Sequence, residues 1–454
     1  MTTLSSKNRI LIDSIKRLLR RGADSHLRKL VNKTHAADLA LVFQDANISL
    51  SDQIKLINLL DSVEQKGHLF ATLDESIFPA LIEKMDLDKV VRIFEEMSPD
   101  DVAAILSRLP EEKGEAILEM MQGDGSEEVE ELLAYGDNTA GAIMLPDFIA
   151  LKESVTAGEA IQSLQSEYID VEMPFYLYVV DEYKRLVGVV SLRQLVVVPP
   201  HTPLKEFMTT NVFSVTTDTH QEDVATIVAR YDFLAVPVVD ENNILVGIVT
   251  VDDVIDVFRE EATEDILKMA GVGEDFVETQ SILRSTRIRL PWLFASCLGG
   301  IVAFFIIGHF EESLRQFAYI AAFIPVIMGM GGNIGTQSCT IVVRGLATNR
   351  LNVNDLGQVV LKELAIGLIL GLVYGALIGA VAQVKYSLTG FALAVGLSVV
   401  SSMCIAALVG SLIPMTFAKI KVDPAVATGP FVTTAVDIVS VSFYFFIATA
   451  LLGL

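Results

Sequence analysis

Two groups of carboxylates stand out in this 454-residue chain by their setting. The first is Asp437, seven residues past Pro430 in the apolar run Thr433-Thr434-Ala435-Val436-Asp437, about 10 Å along a helix. An ionised carboxylate at the centre of a membrane span costs on the order of 3 kcal/mol, so such a residue marks a pathway or a partner. It reads as the only ionisable residue well inside a span, with no basic residue in the membrane to pair with it. A small hard cation held through its waters is the natural counter-charge, and magnesium behaves in that way. A protonated Asp bonded to neighbouring backbone is the alternative. The second group is Asp252, Asp253, Asp256, Glu260, Glu261, Glu264 and Asp265, with only Arg259 and Lys268 to neutralise it. Spacings of three and four put Asp253, Asp256 and Glu260 along one helix face, with Glu261, Glu264 and Asp265 alongside. A solvated face is the plain reading; hard oxygen ligands whose repulsion a divalent cation relieves is the reading that the scarcity of bases favours.

A third stretch runs from Pro325 through Gly329-Met330-Gly331-Gly332-Asn333-Ile334-Gly335 to Gln337, with apolar sequence on both sides. Permissive backbone at membrane depth is tolerated where it is buried in protein or lines a water-filled path. The expectation is a broken or locally widened helix beside a polar pathway. Close helix packing through small residues is the alternative, and it leaves Asn333, Gln337 and Pro325 unexplained.

The elements that must carry these residues are legible in the hydropathy. The mean hydropathy of +0.49 is high for a soluble protein. The excess is local, because residues 290–454 hold seven Lys or Arg and six Asp or Glu while the first 289 carry 27 against 51, a net charge of −24. A region so acidic repels nucleic acid and anionic lipid and attracts cations. Arg284, Arg287 and Arg289 precede the first span and Trp292 sits at its interface. Five spans are expected, at Leu290–His309, Phe317–Val343, Val359–Val381, Phe391–Phe417 and Phe431–Leu452. Basic loops at Arg344 and Arg350 and at Lys419 and Lys421 fall on the same side as the acidic region, which the positive-inside rule makes cytoplasmic. The expectation is a multi-pass protein of the cell membrane with cytoplasmic N-terminal domains and its C-terminus outside. Cys297, Cys339 and Cys404 have no paired spacing for a disulfide or a zinc site.

Residues 1 to about 138 read as short helices, loosely repeated as in a helical superhelix. Ser98-Pro99-Asp100-Asp101 has the form of a helix start, where the acids need only cap. An internal repeat of period 59 follows: Val179-Val180-Asp181-Glu182 realigns on Val238-Val239-Asp240-Glu241, and Gly188 on Gly247. Each copy reads helix, strand, turn, strand, helix. This resembles a tandem pair of CBS domains, regulatory modules that often bind adenine nucleotides. The resemblance implies a ribose site at Thr250 and Asp253 of the second copy, with ATP as a candidate ligand; the first copy has Ser191 but Gln194 in place of the acid.

Helical N-domain, CBS pair, acidic helix, five spans, the glycine motif and the Thr-Thr-x-x-Asp437 segment together resemble the MgtE magnesium channels and transporters over nearly the whole chain. The fold class implied is a multidomain membrane protein: an all-α superhelical N-domain at 1–138, α/β tandem CBS domains at 139–262, an acidic connecting or plug helix at 263–286 and a five-helix transmembrane pore domain at 287–454. The resemblance further implies a homodimer conducting Mg2+. Asp437 and the Thr433 carbonyl would hold the hydrated ion, and Gly329, Gly331, Gly332 and Asn333 would shape its path. Apart from the resemblance, Asp423-Pro424 on the inner loop reads as common turn chemistry, with a ligand at the inner mouth as the weaker alternative. Cytoplasmic Mg2+ would close the pore by bridging Asp100, Glu222, the Ala229 carbonyl, Asp232, Asp253, Asp256, Glu261, Glu264 and Asp265. Ala104 and His220 stand where further acids would be expected, which implies weaker or redistributed sensor sites. The rival readings are a channel for Co2+, Mn2+ or Ca2+ and a membrane sensor that transports nothing. An enzyme is not expected, since no nucleophile with a base, no phosphate loop and no paired catalytic carboxylates are present.

Overall fold

Short helices fill the N-terminal region, from Thr2–Arg21 to Asp124–Leu133. Capping side chains punctuate them: Ser49 Oγ accepts from the Asp52 N–H and Ser62 Oγ from the Gln65 N–H. Apolar residues three and four apart bury one face of each helix, and Leu39, Leu56, Phe70, Phe78, Phe94 and Leu106 join in a common core. The structure is a computed structural model describing residues 2–45, 47–74, 77–121, 124–166, 175–272, 282–348, 350–427 and 429–452. It divides into two compact units, Met1–Arg259 and Glu260–Leu454.

In the first unit the 59-residue repeat forms two three-stranded sheets. Strand β1 (Ala150–Lys152) lies parallel to β2 (Tyr176–Val180), which pairs antiparallel with β3 (Leu186–Ser191). The second copy repeats this with β4 (Val215–Thr216), β5 (Ala235–Val239) and β6 (Leu245–Thr250). Registers match, with Val179 opposite Gly188 and Val238 opposite Gly247. The repeated glycine has a packing cause: a Cβ on Gly188 would lie 2.5 Å from Met208 Sδ, and one on Gly247 2.6 Å from Met144 Sδ. The two sheets share Tyr178, Leu186, Val239, Leu245 and Ile248 as one core. The N-terminal helices share theirs with the second copy, through Val224, Val228, Val236 and Val254.

Among the described residues of the second unit five helices are long and apolar enough to cross a membrane: Ile282–His309, Ala318–Ala347, Val353–Tyr386, Thr389–Lys419 and Gly429–Leu452. The fourth span is the most buried and lies between neighbours. The third packs on it through Gly367, Gly371, Gly375 and Gly379, a four-residue period that lets backbones approach. The first span is the most exposed, and its Gly299 seats Thr434 of the fifth.

The glycine stretch corrects the expectation of a broken helix. Ile324–Ala347 is a continuous α-helix; the irregular turn lies upstream, where the 3-10 segment Ala318–Phe323 ends and Pro325 enters the first helical turn. Proline lacks an N–H that this turn would leave unpaired in any case, so it starts the helix instead of breaking it. Residues 251 to 269 form one helix, Val251–Met269, directly after β6. Of the expected connecting helix at 263–286, residues 273–281 lie outside the described residues.

Candidate functional site

The glycines of the second span divide by face. Cβ atoms on Gly331 and Gly335 would press into the fifth span, at 3.1 Å from Val436 Cγ1 and 3.0 Å from Val436 Cγ2. Gly329 and Gly332 have nothing within 4 Å of that position. Gly331 and Gly335 are therefore packing residues, and Gly329 and Gly332 border open space. Continuing from Gly329, residues Asn333, Thr336, Gln337 and Thr340 are all exposed and recur at three and four spacing. A polar stripe on a membrane helix is poorly suited to lipid, so it belongs against water or another protein surface.

Asp437 is half-buried on the fifth span, next to the Val436 that rests on Gly331 and Gly335. Among the described residues its carboxylate has no salt-bridge or hydrogen-bond partner. Thr433 Oγ1 donates to carbonyls of its own helix, 3.2 Å to Gly429 and 3.3 Å to Pro430. No hydrogen bond joins Asp437 or Thr433 to Asn333 among the described residues. Asp437 is not alone as an acid within a span, which corrects the sequence reading. Glu363 of the third span is 4% exposed and accepts a 2.8 Å hydrogen bond from the buried Ser338 Oγ of the second. The sequence signal was weak, because Glu363 stands beside Lys362 near a helix end, where charges are ordinary.

At one end of this unit the acidic helix meets the loop before the fifth span. Lys268 Nζ bridges Glu264 and Asp423, 2.7 Å from Asp423 Oδ2. Asp423 Oδ1 accepts from the Ala425 N–H at 2.8 Å, so this carboxylate is both a turn cap and an ion-pair partner. Asp265 is half-buried; burial and the Asp423 charge raise its pKa, while Arg344 and Lys268 act the other way. A Cβ on Gly271 would lie 3.1 Å from Pro430 Cδ, and one on Gly429 3.1 Å from the Met269 carbonyl. The end of the acidic helix thus seats on the start of the span that carries Asp437. Sequence reading treated Lys268 only as a sparse counter-charge and missed the bridge.

In the first unit two sensor candidates come together. Asp100, in the first turn of helix Pro99–Ser107, has an Oδ1 shut off from solvent without a hydrogen-bond partner. Burial and then the Asp101 charge push its pKa up to about 7. Asp253 is likewise pushed up to about 7, by burial and then by the charge of Asp100. Thr250 Oγ1 donates to Asp253 Oδ2, and the Thr250 N–H lies 3.4 Å from the same oxygen, so the nucleotide candidates form a capping pair that starts the acidic helix. Ser191 and Gln194 make the equivalent capping box in the first copy, so the residue that departs from the nucleotide pattern still serves the helix start. The other candidates are dispersed. Glu222 and Asp232 stand at opposite ends of helix Gln221–Tyr231, about 15 Å apart along its axis. Ala229 is exposed, and Asp256 pairs with Arg259 at 3.1 Å. Among the described residues no three His, Cys, Asp or Glu side chains converge as a metal centre.

The comparisons with known proteins follow the same division. A family model described as a divalent cation transporter, MgtE, matches residues 324–447; the MgtE intracellular N domain matches 34–138, and CBS domains match 140–200 and 204–260. The magnesium transporter MgtE of Thermus thermophilus is 42% identical over 330 residues, 72% of each chain, and that of Bacillus subtilis is 40% identical over 328 residues, also 72% of each. Among solved structures, the soluble part of a magnesium transporter is 32% identical and covers 56% of this chain and 99% of its own, with a TM-score of 0.50. The cytosolic domain of the Mg2+ channel MgtE in complex with ATP is 34% identical and covers 54% and 99%, with a TM-score of 0.51. A helical N-domain, a CBS pair and five membrane helices, matched to relatives at this identity over this length, place the chain in the MgtE family of magnesium transporters.

Proposed function

We propose that the protein admits Mg2+ through a path bordered by Asp437 of the fifth span and the exposed polar stripe of the second, working as a homodimer. The observation that carries this is the unpaired Asp437 carboxylate, held in a membrane span against the glycine face of its neighbour. A carboxylate so placed has a hydrated divalent cation as its natural partner. The naming of relatives as magnesium transporters supports Mg2+ as the cargo. Among the described residues no His or Cys group converges, and oxygen ligands favour Mg2+ over softer ions, with another hard divalent ion as the second reading.

The same reading makes the acidic surfaces a feedback sensor. Cytoplasmic Mg2+ draws Asp100 and Asp253 together with the acids of helix Val251–Met269 and holds the pore shut; ATP modulates this through the second CBS copy. The orphaned Asp100 oxygen and the raised pKa of both acids fit an all-oxygen cation site between N-domain and CBS pair. The domain limits proposed are 1–138, 139–262, 263–286 and 287–454, with the first three cytoplasmic and the C-terminus outside. The test is Mg2+ influx into liposomes bearing the purified protein, at low and then high internal Mg2+. Asp437→Ala should reduce influx to that of protein-free liposomes, and internal Mg2+ should suppress the wild type. Wild-type influx from Asp437→Ala would overturn the pore assignment.

A further inference from the structure

The notch left by Gly331 in the second span is filled by two hydroxyls from two other spans. Ser402 of the fourth and Ser440 of the fifth are both completely buried. A Cβ at position 331 would stand 2.6 Å from Ser402 Oγ and 2.8 Å from Ser440 Oγ. The two hydroxyl oxygens are 2.7 Å apart, and Ser402 Oγ lies 3.2 Å from the Ile327 carbonyl, one turn before Gly331. Ser402 Oγ is the donor in both contacts, so its single proton is shared between the Ser440 hydroxyl oxygen and the Ile327 carbonyl. Three membrane helices therefore meet at a hydrogen-bonded point. Ser440 is one turn past Asp437, and Ile327 and Gly331 bracket Gly329.

We infer that Ser402 and Ser440, seated in the Gly331 notch, are positioning residues that set the rotation and spacing of the Asp437 helix against the Gly329–Asn333 segment. Apolar side chains of similar size would pack as well in a lipid-embedded bundle, where burial itself gives little preference for one arrangement. Hydrogen bonds are directional, so the pair fixes which turn of the fifth span faces which turn of the second. This assignment rests on the reading of Asp437 as the ion-binding residue of the path.

The test is Mg2+ influx into liposomes by the full-length protein, with the melting temperature of each variant followed in detergent. Gly331→Ala drives a methyl into the two hydroxyls and should lower influx about tenfold or more. Adding Ser402→Ala and Ser440→Ala removes the obstructing oxygens and should restore most of that loss. The serine variants alone should shift the Mg2+ concentration for half-maximal influx several-fold while melting as the wild type does, which a purely structural pair would not do. A Gly331→Ala protein that conducts normally, a triple variant without recovery, or an unmoved half-maximal concentration would each overturn the inference. Asp437→Ala in the same assay separates the two ideas: if it conducts, the pore reading fails, and if it is inactive while the triple variant is not rescued, the positioning role alone fails.

Discussion

Asp100 and Asp253 are where single residues bear most on the proposed cation sensor. Both carboxyls are held near pKa 7 by burial and neighbouring negative charge, against an ordinary value of 3.8. The fold therefore prefers them protonated. Their contribution to stability is full below the ordinary pKa and is lost as pH rises through about 7. A bound cation reverses the preference, since ligands must be ionised, so Mg2+ binding should strengthen over the same interval. In chelator, the melting temperature of the N-terminal region in the detergent-solubilised protein should fall between pH 5.5 and pH 8, and added Mg2+ should raise it more at pH 8 than at pH 5.5. Asp100→Asn should flatten both dependences. A Mg2+ effect equal at the two pH values would remove these carboxylates from the sensor.

Helix Val251–Met269 carries acids along its length, and its end meets the start of the fifth span. Lys268 is its built-in counter-ion, bridging Glu264 and Asp423. An ion pair with both side chains still partly exposed, 27% and 37%, is worth roughly 0.2–1 kcal/mol, so its loss should have a modest effect. Lys268→Ala should raise influx at low internal Mg2+ by no more than a few-fold and leave suppression at high internal Mg2+ in place, where the divalent ion neutralises the same acids. Unchanged influx at low Mg2+ would mean that the bridge does not hold the helix end at the span. The second span shows the same economy: Pro325 opens the helix, two glycines admit the fifth span, and two others leave open space.

At the scale of the molecule, charge is divided along the chain, with −24 before residue 290 and near neutrality after it. Self-repulsion of that size opposes the compact state and is relieved by screening, which shortens from about 10 Å at 0.1 M to about 3 Å at 1 M salt. In chelator, 1 M KCl should therefore raise the melting temperature of the acidic N-terminal region over its value in 0.1 M KCl, and millimolar Mg2+ should achieve more than its ionic strength explains. A protein that melts lower in high salt would show that specific ion pairs, such as Lys16–Asp45 at 2.6 Å, outweigh general repulsion.

The sequence by itself determined what one-dimensional patterns can carry. Apolar run length set five spans, three-and-four spacing set the acidic helix, and a 59-residue period set two equivalent copies with Gly188 matched to Gly247. It also singled out Asp437, because an acid in an apolar run stands out without any knowledge of neighbours. What depends on meeting partners was left to the tertiary structure. A glycine motif looks alike whether it breaks a helix or admits a neighbour, and only the positions of Val436, Ser402 and Ser440 decided that Gly331 and Gly335 pack while Gly329 and Gly332 stay open. Glu363 needed Ser338 from another span to explain its burial, and Lys268 needed Asp423, 155 residues away, to become a bridge. Glu222 and Asp232, which the resemblance put in one set, stand apart, because a helix separates its ends by its own length.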